Sequence, residues 1–403
     1  MSIRAMKRTA ESTGALAALM LGLWLAPARP AAAAEATRAL HQTFPAGGDA
    51  EVRLANLVGR VDLVQGKEGQ VTVDATIHAE GENRAETDRL LQGVQFVKGH
   101  DRKGQEEWEI AYPVDTYHSF HYPRHGDNGY SGFWSFLSSG WSTSTTYRGE
   151  RVRITSRRSS SSPTFYVDLK IGVPSGSQLS VRNLVGLIYG ESLEARLNLE
   201  TGSGDIDLAS SSGKLTIATG SGDVAVGEGR GEIQVHTGSG DIQFHKLIGN
   251  GSFEAGSGDV KIEKVAAGRL SVKTGSGDVV LRDGEASHLE TGTGSGDVRV
   301  SGVEVEELDA HTGSGDLVLQ TPLAKTKRMA IKTGSGDVAI GAGATASFAL
   351  AADQGSGDLT VHYADAVLQR SRHDKVVGAK RGDGRTEIHI VTGSGDCVIG
   401  PHR

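Results

Sequence analysis

The sequence predicts an all-β fold, a parallel β-solenoid (β-helix) with about 18–21 residues per coil and a long aromatic-, Ser- and Gly-rich insertion. Three observations predict it. Gly-Ser-Gly-Asp occurs ten times at near-constant spacing, apolar residues alternate on both sides of each copy, and 56 of 403 residues are glycine against only 9 prolines. Hydrophobic residues at 37% are too many for a disordered chain, and the glycines lack the three-residue period of collagen. Glycine at regular intervals marks many identical tight corners.

In chain order, residues 1–34 read as a Sec signal peptide. Arg4, Lys7 and Arg8 form a basic start, Ala15 to Ala26 is a short apolar run, and Ala32-Ala33-Ala34 offers a cleavage site before Glu35. The run is shorter than the ~20 residues that span a bilayer, which weighs against the rival reading of an uncleaved anchor. No Cys lies near the cleavage site, so no lipoprotein is expected, and no later segment is apolar enough to span a membrane. The expected location is the periplasm, cell surface or exterior of a bacterium. Removing four cations and one anion with this segment takes the formal charge from −7 to −10. A mildly acidic chain argues against a nucleic-acid partner. The single cysteine, Cys397, excludes an intramolecular disulfide.

Residues 35–112 are expected to form N-terminal coils, 113–163 an insertion, and 164–403 the main solenoid. The insertion concentrates aromatics in a chain that is only 5% aromatic, among them Tyr117, Phe120, Tyr122, Tyr130, Phe133, Trp134, Phe136, Trp141 and Tyr147. One reading makes it a ligand-binding flap, with Tyr130, Phe133, Trp134 and Trp141 stacking on sugars while Arg151 and Arg153 meet anionic groups. The other makes it a hairpin folded over the side or open end of the solenoid, its aromatics filling a small satellite core. Arg151-Val152-Arg153-Ile154 alternates like an ordinary half-buried strand. His118, His121 and His125 with Asp127 match no metal-site spacing and read as solvated side chains.

The main body carries the repeat. Its aspartates are Asp205, Asp223, Asp241, Asp259, Asp278, Asp297, Asp316, Asp337, Asp358 and Asp396, spaced by 18, 18, 18, 19, 19, 19, 21, 21 and then 38. The last gap is about twice the others, so one coil that has lost the signature is expected inside it. Before each corner the apolar positions have one parity, as in Leu215, Ile217 and Thr219, and after it the other, as in Val224 and Val226. Side chains alternate along a strand, so an inward set changes parity only at a corner or bulge, and Gly222-Asp223 sits at that point. Each coil thus offers two short strands that close no core alone. Cys397 follows Asp396 in a slot held elsewhere by Ile206, Val224 or Val260, which makes it a core residue.

Ten aspartates at one corner form a line of like charges. The simpler reading is structural, each carboxylate accepting backbone N–H groups of its own or the next corner. The rival is a Ca²⁺ ladder, but one carboxylate per coil falls short of six to eight oxygens, and the Gly-Asp spacing differs from calcium-binding nonapeptide repeats. No cofactor, catalytic or metal residue is therefore expected.

These TGSGD units, the opening Ala50–Ile77 (AEVRLANLVGRVDLVQGKEGQVTVDATI) and Thr164–Asn183 (TFYVDLKIGVPSGSQLSVRN) resemble the bacterial putative-adhesin β-solenoid family, related to head-GIN auto-transporter adhesins. The resemblance covers roughly 44–112 and 164–400 and implies a solenoid in or outside the bacterial envelope, with no family catalytic residues to carry over. The insertion departs from the family pattern. Arg381-Gly382-Asp383 spells the integrin tripeptide inside a Gly-rich turn, which reads as coincidence. The function expected is a non-enzymatic interaction scaffold or adhesin whose partners are envelope or extracellular glycans or another protein. The alternatives are a polysaccharide lyase or hydrolase on a parallel β-helix, and an accessory of envelope stress. An enzyme would place its acids at an exceptional position, whereas these recur at a repeated one.

Overall fold

A computed structural model describes residues 35–47, 50–101, 103–123, 141–159 and 162–402. The expected signal peptide and, in the insertion, His125, Asp127, Tyr130, Phe133, Trp134 and Phe136 lie outside the described residues. What is described is nearly all β-strand with one α-helix, Arg84–Gly93, and no helix there is long and apolar enough to cross a membrane.

The repeat region stacks residue on residue. Ile206–Thr219 runs parallel to Val224–Thr237 at an offset of 18, from Ile206↔Val224 to Thr219↔Thr237. Val224–Thr237 pairs with Ile242–Ala255 in the same register. Val279–Thr293 pairs with Val298–Thr312 at an offset of 19. A solenoid-like stack with apolar columns follows, because the same inward position recurs in each coil: Ile206, Val224, Ile242, Val260, Val279, Val298 and Leu317 are all buried. Cys397 extends this column, paired with Val338 on one side and Leu359 on the other.

Two short strands per coil were expected, but three of these strands are 14 residues long. Each runs through a second bend where Gly213, Gly231 or Gly249 holds φ of +117°, +115° or +117°, a left-handed conformation that disfavours other residues. Ladder pairing continues across Gly213, while the second change of inward parity falls just before it, between Leu208 and Ser211, where Ala209 and Gly227 drop out of the pairing.

The ends depart from this rule. Of the expected N-terminal coils 35–112, only Glu51–Val58 and Val61–Gln65 stack as a coil, beneath Gln178–Val185 and Ile188–Glu194. Around them the sheet turns antiparallel: Ala36–Pro45 on Gln70–Glu80, Gln70–Glu80 on Thr164–Val173, and Phe96–His100 on Glu106–Ile110. The helix starts at Asn83, whose Oδ1 accepts from Glu86 N–H at 3.0 Å, and packs Leu90 and Leu91 inward. This region acts as a lid on the open core.

At the other end, the expected coil within the 38-residue gap does not exist. The chain after Leu359–Val361 forms a hairpin, Val367–Arg370 antiparallel to Val376–Arg381, and the latter lies on Phe348–Gln354. Thr386–Thr392 and Cys397–Pro401 then enter between the two preceding coils, pairing with Arg328–Thr333 and Val338–Ala342 on one side and with Phe348–Gln354 and Leu359–Val361 on the other. The missing signature reflects missing stacking: residues 362–385 meet no corner on each side, so nothing requires Gly-Ser-Gly-Asp there.

Arg381 of the RGD string belongs to this cap. Its guanidinium reaches Asp365 at 2.8 Å and the carbonyls of Ala346 and Ala344 at 2.6 and 2.9 Å, and stands 4.3 Å from the Tyr363 ring centroid. Asp383 holds the Ser347 hydroxyl. Both charged groups of the tripeptide are engaged internally.

Candidate binding cleft

Each letter of the repeated corner has a local task. Thr219 Oγ1 donates to Gly204 O of the preceding corner at 3.3 Å and accepts from Gly222 N–H of its own corner at 3.0 Å. Thr237, Thr274, Thr293, Thr312 and Thr333 repeat both bonds. A Cβ on Gly222 would lie 1.8 Å from Gly204 O, so the backbones approach too closely for any side chain. The serine between the glycines is exposed at most corners.

The aspartates form a continuous backbone-to-carboxylate ladder. Asp223 N–H donates to Asp205 Oδ1, Asp241 to Asp223, Asp259 to Asp241, and so on through Asp278, Asp297, Asp316 and Asp337, at 2.6–2.9 Å. The inserted final coil keeps it unbroken: Asp396 N–H donates to Asp337 Oδ1, and Asp358 N–H to Asp396 Oδ1, both at 2.8 Å. One oxygen of each carboxylate from Asp205 through Asp337, and of Asp396, is therefore committed to the next corner. Among the described residues no group of three His, Cys, Asp or Glu side chains gathers to hold a metal ion.

The N-terminal end of the ladder differs from the rest because the insertion folds over it. Ser142–Tyr147 and Glu150–Thr155 form an antiparallel hairpin, and Ser119–His121 runs parallel to the second strand. Val152 and Ile154 are buried while Arg151 and Arg153 are exposed, as their alternation predicts. Phe120 and Tyr147 join Tyr112 and Phe165 in an aromatic cluster with centroids 5.3–6.1 Å apart. Much of the described insertion is thus a lid with a satellite core.

Trp141 and Tyr122 behave differently. They line a cleft of about 300 Å³ together with Ser142, Thr143, Val185, Ser203, Asp205 and Ser221. Thr143 Oγ1 lies 3.3 Å from Ser203 Oγ, tying the hairpin to the first Gly-Ser-Gly-Asp corner. Arg153 donates to Ser142 Oγ at 3.0 Å and so stands at the rim, whereas Arg151 sits opposite Thr146, towards the hairpin turn. Of the six residues assigned to a flap, the structure brings Trp141 into the cleft wall, holds Arg153 to it only through Ser142, and leaves Arg151 outside. Tyr122, Ser203 and Asp205 are its further walls. Tyr122 belongs to the aromatic crowding of the sequence, but its meeting with a corner some 80 residues away has no local signal.

Covering the corner also changes its electrostatics. Burial pushes the Asp205 carboxyl above the usual range, with the nearby Asp207 charge adding to it. Burial likewise raises Asp223, to about 6, helped by its like-charged neighbours Asp205 and Asp241. The cleft therefore joins two aromatic rings, several hydroxyls and a carboxyl that holds its proton more readily than a free aspartate. Such a surface can stack against the apolar face of a sugar ring and hydrogen-bond its hydroxyls.

A larger cleft of about 580 Å³ lies by the helix, between Glu80, Glu82, Glu86, Tyr117 and Arg158. Its charged groups answer one another: Tyr117 O–H donates to Glu86 at 2.6 Å, and Arg158 pairs with Glu80 at 2.7 Å. His118 and His121 are not drawn into a site; His121 Nδ1 lies 2.9 Å from Thr164 Oγ1, and burial lowers its pKa.

The family model described as Toastrack DUF4097 matches residues 228–399. A putative cell adhesion protein from Clostridium sporogenes ATCC 15579 aligns over 90% of this chain and 99% of its own, at 9% identity and a TM-score of 0.17. A putative lipid binding protein from Parabacteroides distasonis ATCC 8503 aligns over 91% and 96%, at 11% identity and a TM-score of 0.30. A putative adhesin from Bacteroides fragilis NCTC 9343 aligns over 90% and 97%, at 8% identity and a TM-score of 0.27. No curated protein matches the sequence.

Proposed function

We infer that this chain is an exported, non-enzymatic envelope or cell-surface protein, a parallel β-solenoid of 18–21 residues per coil that holds a glycan-binding cleft at one end. The observation that carries this reading is the contrast at the corners. Along the stack the ladder carboxylates from Asp205 through Asp337, and Asp396, are engaged by the next backbone N–H, and over the first of them, Asp205, the Trp141 hairpin arches and leaves an aromatic, hydroxyl-lined cleft. The Sec-type start and the putative-adhesin resemblance of the TGSGD coils, with its head-GIN relation, support an envelope or extracellular setting. The same resemblance supports adhesion as the biological role. No cofactor is assigned, calcium included, since the ladder supplies one carboxylate per coil.

Screening the chain on peptidoglycan, lipopolysaccharide and plant and bacterial glycans tests this reading. Binding is expected to fall by roughly five- to a hundredfold in Trp141→Ala with the thermal melt preserved, since a stacking ring contributes roughly 1–3 kcal/mol. Binding unchanged by that substitution, or none to any glycan, contradicts it.

One observation favours a second reading, a carbohydrate-active enzyme. Asp205 and Asp223 are neighbouring carboxyls with raised pKa beside the cleft, the kind of pairing that acid–base hydrolysis uses. Both belong to one ladder and stand on the same side of it, whereas glycosidases flank the scissile bond. Release of reducing or unsaturated sugar ends, lost in Asp205→Asn, would establish the enzyme.

A further inference from the structure

We propose a second contact surface, independent of the Trp141 cleft: the C-terminal cap seats on an anionic lipid bilayer. Its last strand, Val367–Arg370, pairs only with Val376–Arg381 among the described residues and presents a free edge. Val367 is 70% exposed and Leu368 is 40% exposed. They are two of the three large apolar side chains exposed among the described residues, and the third, Val398 at 37%, also belongs to the last coils. Val367 and Leu368 alternate across this edge strand, Val367 on the outer face with Lys380 and Leu368 on the face of the buried Ala379, so the free edge is apolar on both sides and marks a surface that meets something apolar.

The surrounding charge says what that partner carries. Residues 362–385 hold Arg370, Arg372, Lys375, Lys380, Arg381 and Arg385 against Asp365, Asp374 and Asp383, a net of +3 in a chain whose net charge is −7. Arg381 is engaged inside the cap, and Lys375 donates to Gly355 O at 3.2 Å. The Arg372 and Lys380 side chains are exposed, with no side-chain hydrogen bond or ion pair among the described residues. Lys380 stands directly opposite Val367 in the hairpin register, so ammonium and isopropyl groups rise from the same face.

This pairing fits the headgroup boundary of an anionic bilayer, which takes apolar side chains below and cations at its surface. A second copy seated cap to cap would set Arg372 and Lys380 against like charges. An anionic polysaccharide would answer the cations and leave Val367 and Leu368 in water.

A local optical probe tests the proposal on the full chain. Cys397 is buried and its thiol pushed up to about 11, so a Val367→Cys variant takes a polarity-sensitive thiol dye at position 367 alone. Gln234→Cys, on the exposed flank of the coils, is the control. On phosphatidylglycerol vesicles the dye at 367 is expected to shift to the blue and brighten, while phosphatidylcholine vesicles leave it unchanged and the dye at 234 responds to neither. Adding Arg372→Gln and Lys380→Gln should weaken partitioning by roughly fivefold per charge removed, with the melt unchanged. No shift at 367 on phosphatidylglycerol, an equal shift at 234, or the same shift with soluble dextran sulfate overturns the proposal, the last in favour of an anionic polymer.

Discussion

The coils between Arg196 and Ala342 and the two ends of the stack are made of the same strands, yet they leave different chemistry at the surface. In the coils, most polar groups at the corner meet a copy of themselves one turn away: threonine to glycine carbonyl, aspartate to aspartate N–H. At the ends the copy is missing. There the chain supplies a helix, antiparallel strands, an aromatic hairpin and a basic hairpin instead, and these bring Trp141 over Asp205 and expose Val367. Repetition satisfies the backbone and levels the surface; irregularity is where a ligand finds something to distinguish.

The largest expected effect breaks the coil side of this comparison. Gly240→Ala puts a Cβ 1.9 Å from Gly222 O and should cost more than about 4 kcal/mol in urea unfolding, or prevent folding. Gly69→Ala, where φ is +83° but no atom lies within 4 Å of the new Cβ, should cost only about 1 kcal/mol. Equal costs would break the close-approach account of the corner.

A smaller effect is expected at the threonine column. Thr237→Val removes the partner of both Gly240 N–H and Gly222 O, and should destabilise by about 1–3 kcal/mol. The stack already tolerates one such loss, because Ala255 occupies this position in the next coil and remains buried. A melt unchanged in Thr237→Val would show that water replaces these bonds.

The ladder end near the cleft sharpens the contrast through pH. Asp223 titrates at about 6 in the folded protein, above the ordinary ~3.9 of an unfolded chain. The folded state therefore binds the extra proton between these values. This contribution is full below pH ~4 and is lost as pH rises through about 6. Asp223 is only partly buried, so the change amounts to about 1 kcal/mol after solvent screening. Asp223→Asn keeps an acceptor for Asp241 N–H and should flatten the profile between pH 4 and 7 by about that amount. An unaltered profile would remove Asp223 as its source. Smallest of all, a chelator should leave the melting temperature unchanged; a drop in EDTA reversed by Ca²⁺ would replace the backbone ladder with a metal one.

The repeat was legible because its physics is local. Parity changes at Gly222-Asp223 announce a corner, and spacing of 18–21 announces what each corner rests on. Three features were not. The helix at Arg84–Gly93 is short and mostly polar, and its Asn83 to Glu86 cap is a weak signal among strands. The order of the last coils cannot be read from three nearly identical corners at Asp337, Asp358 and Asp396, since each could rest on either of the others. What decides it is the hairpin after Val361, which covers the outer coil and carries the chain back. The cleft depends on contacts such as Thr143 to Ser203, 60 residues apart, that leave no mark in local sequence.

If coils are interchangeable supports and the ends carry the contacts, one coil can be removed in register. Deleting the 19 residues Val298–Asp316 would set Val279 beneath Leu317, Leu281 beneath Leu319 and Leu289 beneath Met329, with Asp337 N–H reaching Asp297. The measurement is a cooperative melt together with glycan binding of the shortened chain. The predicted result is a folded protein with ligand affinity within about twofold of the full chain, since the cleft is untouched. A shortened chain that folds but has lost binding would place recognition along the coils and contradict the account.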